Sequence, residues 1–195
     1  MASKEKLEEY HSKRNFDLTK EPFGDISKTG ENIWVIQKHD ATNLHYDLRI
    51  QIDGVLKSWA VPKGPSLDPS DKRLAIQTED HPMEYADFEG TIPEKEYGGG
   101  TIMVWDAGTY KFDPDKNDYD TINEAYKTGH IKISLKGHKL VGDFMLIRTN
   151  QKKANQWLFF KIDDEDADAR RNPVSTEPNS VLTGRTLAEI KKEES

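Results

Sequence analysis

The clearest pattern in the chain lies between Ile33 and Ile52, where apolar and polar residues alternate in the second half. Every even position from 44 to 52 is apolar and every odd position is polar. Because successive side chains of a strand point to opposite faces, this pattern predicts a strand with one face toward a core. The other face carries an imidazole, a carboxylate and a guanidinium, spaced about 6.6 Å apart at about 3.3 Å per residue. These groups belong to His45, Asp47 and Arg49.

The rest of the chain predicts more short strands separated by turns. The dipeptide Asp53-Gly54 is a strong hairpin signal, and it predicts that residues 55–61 return antiparallel to the first strand. Residues 73–81 alternate again and place Arg73, Glu79 and His81 at the same strand parity. Further apolar runs cover 101–105, 130–137, 138–149 and 157–162. Many short strands with glycine turns and few helices are typical of an all-β sandwich or barrel.

Three segments divide the chain. We expect residues 1–30 to form a helix over 3–13, capped by Ser3, and then an extended arm. Residues 31–162 would be the β-core, with a short helix over 121–128 that ends at Gly129. Residues 163–195 hold nine acidic and five basic residues and few apolar ones, so we expect a flexible acidic tail. Its last ten residues read as a capped helix with nothing to pack against.

Composition narrows the class of protein. The 195 residues contain no cysteine, which excludes disulfides and thiolate chemistry. No apolar run reaches the ~18 residues of a membrane span, so we expect a soluble cytoplasmic protein. The net charge of −7 argues against a broad nucleic-acid-binding surface but leaves a local basic patch possible.

The polar face of the first strand suggests a metal site. Two neutral imidazoles and one carboxylate, from His39, His45 and Asp47, would leave open positions for water or substrate. These ligands suit Mn²⁺, Zn²⁺, Fe²⁺ or Co²⁺ and do not choose among them. Arg49 and Arg73 are candidates for binding an anion, since a guanidinium matches phosphate oxygens in pairs. His81 could then donate a proton to a leaving oxygen or stabilise phosphoryl charge.

A different reading of the same residues is an iron and 2-oxoglutarate oxygenase. His45, Asp47 and the distant His138 imitate a facial triad of two histidines and one carboxylate, with Arg148 ten residues beyond His138. This hypothesis leaves four residues without a role: His39, Arg49, Arg73 and His81. It stays an alternative.

Two long blocks resemble a known family. They are QKHDATNLHYDLRIQIDGVLKSWAVPKGPSLDP and, after three residues, RLAIQTEDHPMEYADFEGTIPEKEYGGGTIMVWDAGTY. Both closely resemble the 3′-phosphoesterase domain of bacterial DNA ligase D, which also occurs as a freestanding protein in bacteria and archaea. The resemblance covers roughly residues 10–162. It implies a small closed or partly closed β-barrel with a concave catalytic face and short peripheral helices.

The resemblance also implies an activity. Such domains are Mn²⁺-dependent and heal DNA 3′ ends in double-strand-break repair by non-homologous end joining. They trim a terminal 3′-ribonucleotide and then remove the 3′-phosphate to leave a 3′-hydroxyl. The implied partners are primer-template or duplex DNA ends, ligase and polymerase modules, and Ku-type end-joining proteins. The resemblance also implies a prokaryotic protein, and we expect a monomer.

Residue by residue, the resemblance makes His39, His45 and Asp47 the metal ligands. The implied catalytic residues are Arg49, Arg73, Glu79, His81 and Tyr85, and the implied substrate-binding residues are Arg14, Asn15, Glu21, Gln37 and Lys63. Position 15 departs from the pattern, because the family commonly has aspartate there and asparagine carries no charge. The ribonucleotide-trimming step is therefore less secure than phosphate removal. An alternative from another class is a DNA-end-binding module that has lost catalysis and recruits repair partners.

Overall fold

The structure, a computed structural model, describes residues 5–24, 32–149 and 155–194. Nine β-strands make up most of its regular structure: β1 (Ile33–Asp40), β2 (Leu44–Ile52), β3 (Val55–Val61), β4 (Arg73–His81), β5 (Gly90–Ile92), β6 (Gly100–Lys111), β7 (His130–Gly137), β8 (Val141–Arg148) and β9 (Gln156–Lys161). The α-helices are short: α1 (Glu8–Ser12), α2 (Ile122–Thr128), α3 (Pro173–Thr176) and α4 (Leu187–Glu194). Two 3₁₀ turns, Met83–Asp87 and Pro114–Lys116, complete the elements.

Eight antiparallel strands close into a barrel. Their order is β1-β2-β3-β4-β9-β8-β7-β6, and β6 returns to pair with β1. The short strand β5 lies outside this circle and pairs with β6 alone among the described strands. The predicted all-β barrel is confirmed, and the barrel is closed.

The hairpin between β2 and β3 fixes the pairing that matters for the site. Asp53 and Gly54 both have positive φ values, 54° and 81°, as a two-residue type I′ turn requires. The turn places Ile52 opposite Val55, and the same register places Arg49 opposite Ser58. The hairpin predicted at this dipeptide is confirmed.

Two apolar clusters lie on opposite faces of the first strands. From Tyr46 to Ile52, the even-numbered side chains of β2 join the main core, which also contains all four tryptophans, each of them 0–1% exposed. A smaller cluster, which includes Leu7, Tyr10 and Tyr85, packs α1 and the first 3₁₀ turn against the other face. The odd-numbered polar residues of β2 therefore lie beneath a layer of chain instead of facing open solvent.

The ends of the chain depart from expectation. The N-terminal helix is observed over Glu8–Ser12, whereas its predicted cap, Ser3, is outside the described residues. Helix α2 agrees with the prediction, and Thr121 forms a capping box with Glu124. The prediction that the last helix has nothing to pack against is wrong, because Ile190 is fully buried in the main core. The described helices include none that is long and apolar enough to cross a membrane.

Candidate active site

A cavity of about 260 Å³ opens on the face of β1–β4 opposite the main core. We call it the site cavity. Eleven of its fifteen lining residues carry ionisable or hydroxyl groups: Arg14, Glu21, His39, His45, Asp47, Arg49, Thr78, Glu79, His81, Tyr85 and Tyr97. Nine of these eleven were among the residues expected from the sequence, the exceptions being Thr78 and Tyr97. The N-terminal arm, two hairpins and a 3₁₀ turn thus meet in one space.

One end of the cavity is formed by the β1–β2 hairpin. Strand pairing places His39 directly opposite His45 and Gln37 opposite Asp47. His39 Nδ1 lies 3.4 Å from Asp47 Oδ2, and His45 Nε2 lies 3.4 Å from Asp47 Oδ1. The three residues each offer a ligand atom within 4.8 Å of the others. This spacing is compatible with all three groups binding one metal ion.

Several features of these side chains fit a bound cation. His45 Nδ1 lies 2.9 Å from the carbonyl oxygen of Asn43, and donation to it leaves the Nε2 lone pair available. His39 Nε2 is buried and has no hydrogen-bond partner among the described residues. Burial raises the pKa of Asp47, but the charge of Arg49 and the adjacent imidazoles of His39 and His45 outweigh it and hold that pKa well below its usual range. The carboxylate is therefore ionised, as a metal ligand must be.

Arg49 links the two ends of the cavity. Its side chain is 3% exposed, and its Nε donates to Gln37 Oε1 at 2.7 Å. Nη1 donates to Ser58 Oγ at 2.9 Å, and Nη2 lies 3.4 Å from Asp47 Oδ2. A buried guanidinium fixed in this way can present its fork to a phosphate beside the metal ligands.

A β-bulge brings His81 into the cavity. Ser58 pairs with Thr78 but Leu56 pairs with His81, so β4 contains one residue more than β3 over this stretch. The extra residue reverses the parity of the strand and turns His81 to the face of Ser58. Without the bulge, the side chain of Asp80 would occupy that face.

His81 lies between two guanidinium groups. Its Nδ1 is 2.9 Å from the carbonyl oxygen of Glu79 and 3.1 Å from Arg49 Nη1, while Nε2 is 3.3 Å from Arg14 Nη2. A carbonyl oxygen accepts only, which assigns the proton to Nδ1 and the lone pair to Nε2. Burial and the charges of the two arginines lower the pKa of His81 well below its ordinary value. The imidazole is neutral at pH 7.

The N-terminal arm closes the other end of the cavity. Arg14 Nε donates to Glu21 at 2.8 Å and Arg14 Nη1 donates to Glu79 at 3.1 Å. The hydroxyl of Tyr85 donates to the same Glu21 oxygen at 2.9 Å. Burial, with the negative charge of Glu21 added, raises the pKa of Tyr85 well above its usual value, so its hydroxyl stays protonated. The arm is therefore tied to the barrel by buried charges.

Four of the expected residues do not line the cavity. Gln37 supports it from behind through Arg49, and its amide nitrogen donates to the carbonyl oxygens of Tyr85 and Phe88. Asn15 is exposed and accepts from the backbone nitrogen of Asp17, and Lys63 is exposed as well. The expectation that Arg73 shares a face with His81 is wrong, because the bulge lies between them. Arg73 instead pairs with Asp71 at 2.9 Å.

Sequence reasoning missed Ser58 and Tyr97. The signal for Ser58 was present, since the hairpin turn at Asp53-Gly54 alone places it opposite Arg49. Tyr97 lines the cavity from a loop, which no periodicity predicts. The oxygenase hypothesis is not supported, because the metal-binding group found in the described residues contains His39 and not His138. His138 is exposed in the β7–β8 turn.

Comparisons with known proteins find similar sequences over most of the chain. The family described as the DNA ligase D 3′-phosphoesterase domain matches residues 37–148. The chain is 47% identical over 193 residues to a multifunctional non-homologous end joining protein of Pseudomonas aeruginosa. The matched region covers 96% of this chain and 22% of that protein. The counterparts of Mycolicibacterium smegmatis and Mycobacterium tuberculosis are 42% and 41% identical over 163 residues, 83% of this chain and 21% and 20% of theirs. The chain thus spans about a fifth of the length of these curated relatives.

Proposed function

The chain belongs to the family of DNA ligase D 3′-phosphoesterase domains, and from this premise we propose that it is a metal-dependent enzyme that removes the 3′-phosphate from DNA ends. One observation carries the proposal. A three-ligand group, a buried arginine and a neutral histidine share one cavity, which is the set that hydrolysis of a phosphate ester needs.

The position of each residue in the cavity indicates its role in the reaction. Water attacks phosphorus, the bond from phosphorus to the 3′ oxygen breaks, and that oxygen takes up a proton. A divalent ion bound by His39, His45 and Asp47 would polarise a phosphate oxygen and lower the pKa of a bound water. We propose Mn²⁺ as this ion, with Zn²⁺ and Co²⁺ as alternatives that the ligand set allows. Arg49 stabilises the charge that develops on the phosphoryl oxygens.

His81 changes its charge when substrate binds. In the free protein the guanidinium groups of Arg14 and Arg49 keep it neutral. A dianionic phosphate placed between these cations compensates their charge and raises the proton affinity of the imidazole. His81 then takes up a proton and delivers it to the departing 3′ oxygen, which makes it the general acid of the reaction.

The wider role follows from the relatives. They are multifunctional end-joining proteins, so we propose that this chain prepares 3′ ends for ligation in double-strand-break repair, together with ligase, polymerase and Ku-type partners. Trimming of a terminal 3′-ribonucleotide is the second proposed reaction. It would use the same cavity together with Arg14 and Glu21 of the arm.

The test is release of phosphate from a primer-template that carries a 3′-phosphate. With Mn²⁺ present, the purified protein should yield inorganic phosphate and a 3′-hydroxyl, and His39→Ala should yield neither. A folded, metal-loaded sample that binds the DNA end but forms no product with any divalent ion would overturn the proposal. That outcome would support the non-catalytic end-binding module instead.

A further inference from the structure

A second cavity of about 420 Å³ adjoins the site cavity. The two share Thr78, Glu79 and Tyr97 as a common wall. Its volume lies in the range of about 300–1,000 Å³ that is usual for small-molecule sites. The other lining residues are Glu9, Lys13, Gln77 and Asn155. A substrate group attached to the phosphate in the first cavity would extend into this space.

Tyr97 stands at the boundary with its ring unusually open to solvent. It is 47% exposed, whereas the tyrosines at positions 10 and 85 are buried. Its hydroxyl lies 3.4 Å from Glu79 Oε2 and 3.4 Å from Lys13 Nζ. The same lysine nitrogen lies 4.9 Å from the ring centroid. These contacts orient the ring while leaving nearly half of the residue available for another molecule.

The charges of the second cavity decide what it can accept. Its walls carry two carboxylates, Glu9 and Glu79, and one ammonium group, that of Lys13. Lys13 already pairs with both, at 2.6 Å and 3.4 Å. A further phosphate would meet net negative charge here, whereas a neutral ring with polar edges would not. Asn155 and Thr78 carry the donor and acceptor groups that such edges need.

We propose that Tyr97 is a stacking platform for the base of the nucleotide that carries the 3′-phosphate, and that the second cavity is the subsite for this nucleoside. The inference rests on the proposed function, because it takes the phosphate to lie between Arg49 and His81. Base stacking on an aromatic ring does not depend on base identity, since every base has a π-face. The subsite therefore recognises a terminal nucleoside without selecting a sequence.

The test compares two substrates with the wild type and Tyr97→Ala. One oligonucleotide ends in a normal 3′-phosphorylated nucleotide, and the other ends in a 3′-phosphorylated abasic residue. For the normal end, the substitution should raise KM about tenfold, as loss of one base stack predicts, with kcat nearly unchanged. For the abasic end, the KM of the wild type should already be about as high as that of Tyr97→Ala with the normal end. The substitution should not raise the KM for the abasic end any further. Tyr97→Trp should keep the wild-type values.

Phe160→Ala is the matched control. Like Tyr97, Phe160 has an aromatic ring with a lysine beside it, since Lys72 Nζ lies 3.6 Å from the ring centroid. Unlike Tyr97, Phe160 lines neither cavity. Its kinetics should match the wild type with both substrates. A Tyr97→Ala enzyme that still discriminates against the abasic end would overturn the stacking site.

A failure of the proposed function can be distinguished from a failure of the stacking site. If the wild type releases no phosphate, the dissociation constants of the same two oligonucleotides, measured by fluorescence anisotropy with Mn²⁺, test the subsite alone. A preference for the base-containing end that disappears in Tyr97→Ala supports it. Equal dissociation constants for the two ends, or no binding to either, would overturn it.

Discussion

The two ends of the site cavity are built in different ways. The end with His39, His45 and Asp47 comes from a single hairpin in which nine consecutive residues supply every ligand. The other end combines the N-terminal arm, β4 and a 3₁₀ turn, and it is held together by Arg14, Glu21 and Tyr85. We refer to these as the hairpin end and the arm end.

This difference shows what local sequence determines. At the hairpin end, strand alternation and a short turn suffice to bring the ligands together, because neighbouring residues in sequence are neighbours in space. At the arm end, the contacts that join the arm to β4 and to the 3₁₀ turn are distant in sequence, and the geometry depends on packing and on a bulge. Variants that act on one end and spare the other test the comparison.

The largest effect is expected at the hairpin end. Asp47→Ala should abolish tight Mn²⁺ binding and lower phosphate release by about 10³-fold, since several kcal/mol of transition-state stabilisation would be lost. Isothermal titration calorimetry with Mn²⁺ and the phosphate-release assay measure the two effects. Asp40→Ala is the control, because it removes an exposed carboxylate at the end of the same hairpin that does not line the cavity. Unchanged turnover in Asp47→Ala would remove this residue from the metal site.

The next largest effect is a difference between Arg49 and Arg73, which the sequence analysis proposed alike as anion-binding residues. Arg49→Ala should lower kcat/KM by about 10²-fold, the scale for loss of one charge-stabilising donor. Arg49→Lys should recover part of this, because it keeps the charge but loses the fork. Arg73→Ala should cost no more than about threefold, as its partner is Asp71 in a half-exposed ion pair. Equal losses for the two arginines would contradict the bulge assignment.

The pH dependence of stability reports on the arm end. Because the pKa of His81 is lower in the folded protein than its ordinary value of 6.5, the unfolded chain takes up a proton first as the pH falls. The stability that neutral His81 contributes is complete above pH 6.5, declines below it, and stops declining once the pH passes the folded pKa. The slope is at most about 1.4 kcal/mol per pH unit, the value for one proton.

Urea unfolding between pH 7 and pH 5, in EDTA, measures this slope. His81→Gln should reduce it relative to the wild type, while His138→Gln, which changes an exposed histidine in the β7–β8 turn, should leave it unchanged. If the slopes of His81→Gln and the wild type coincide, His81 is not held neutral by its burial between the arginines.

The smallest effect is expected at position 15. Asn15 is exposed and caps a turn of the arm, so Asn15→Asp should alter phosphate release by no more than about twofold. Comparing substrates with a 3′-phosphate and a 3′-terminal ribonucleotide measures both proposed reactions. A large gain confined to the ribonucleotide would show that charge at this position controls the trimming step.

The fold was largely predictable because its information is local. Strand alternation, the Asp53-Gly54 turn and the helix end at Gly129 each depend on a few neighbouring residues, and all are observed. The last helix was misjudged for the opposite reason. Ile190 and the half-buried Leu187 anchor it to the main core, and two apolar residues in a short helix do not show from the sequence what they pack against.

In the candidate site, too, the residues whose positions depend on local sequence were predicted from the residue pattern, and those that depend on distant contacts or on a bulge were not. Parity arguments placed His45, Asp47 and Arg49 correctly because β2 is regular. They failed for Arg73 because an extra residue in β4 is not visible as a pattern. The arm residues were expected only through the family resemblance, since their contacts with Glu79 and Tyr85 span more than sixty positions in the chain.

The central claim is that both ends act on one phosphate. A crystal structure with Mn²⁺ and a non-hydrolysable 3′-phosphate analogue tests it most directly, with anomalous scattering used to locate the metal. We predict a manganese peak among His39, His45 and Asp47, and the anion between that peak and the side chains of Arg49 and His81. Manganese bound elsewhere, or an anion out of reach of His81 in a protein that still releases phosphate, would contradict the account.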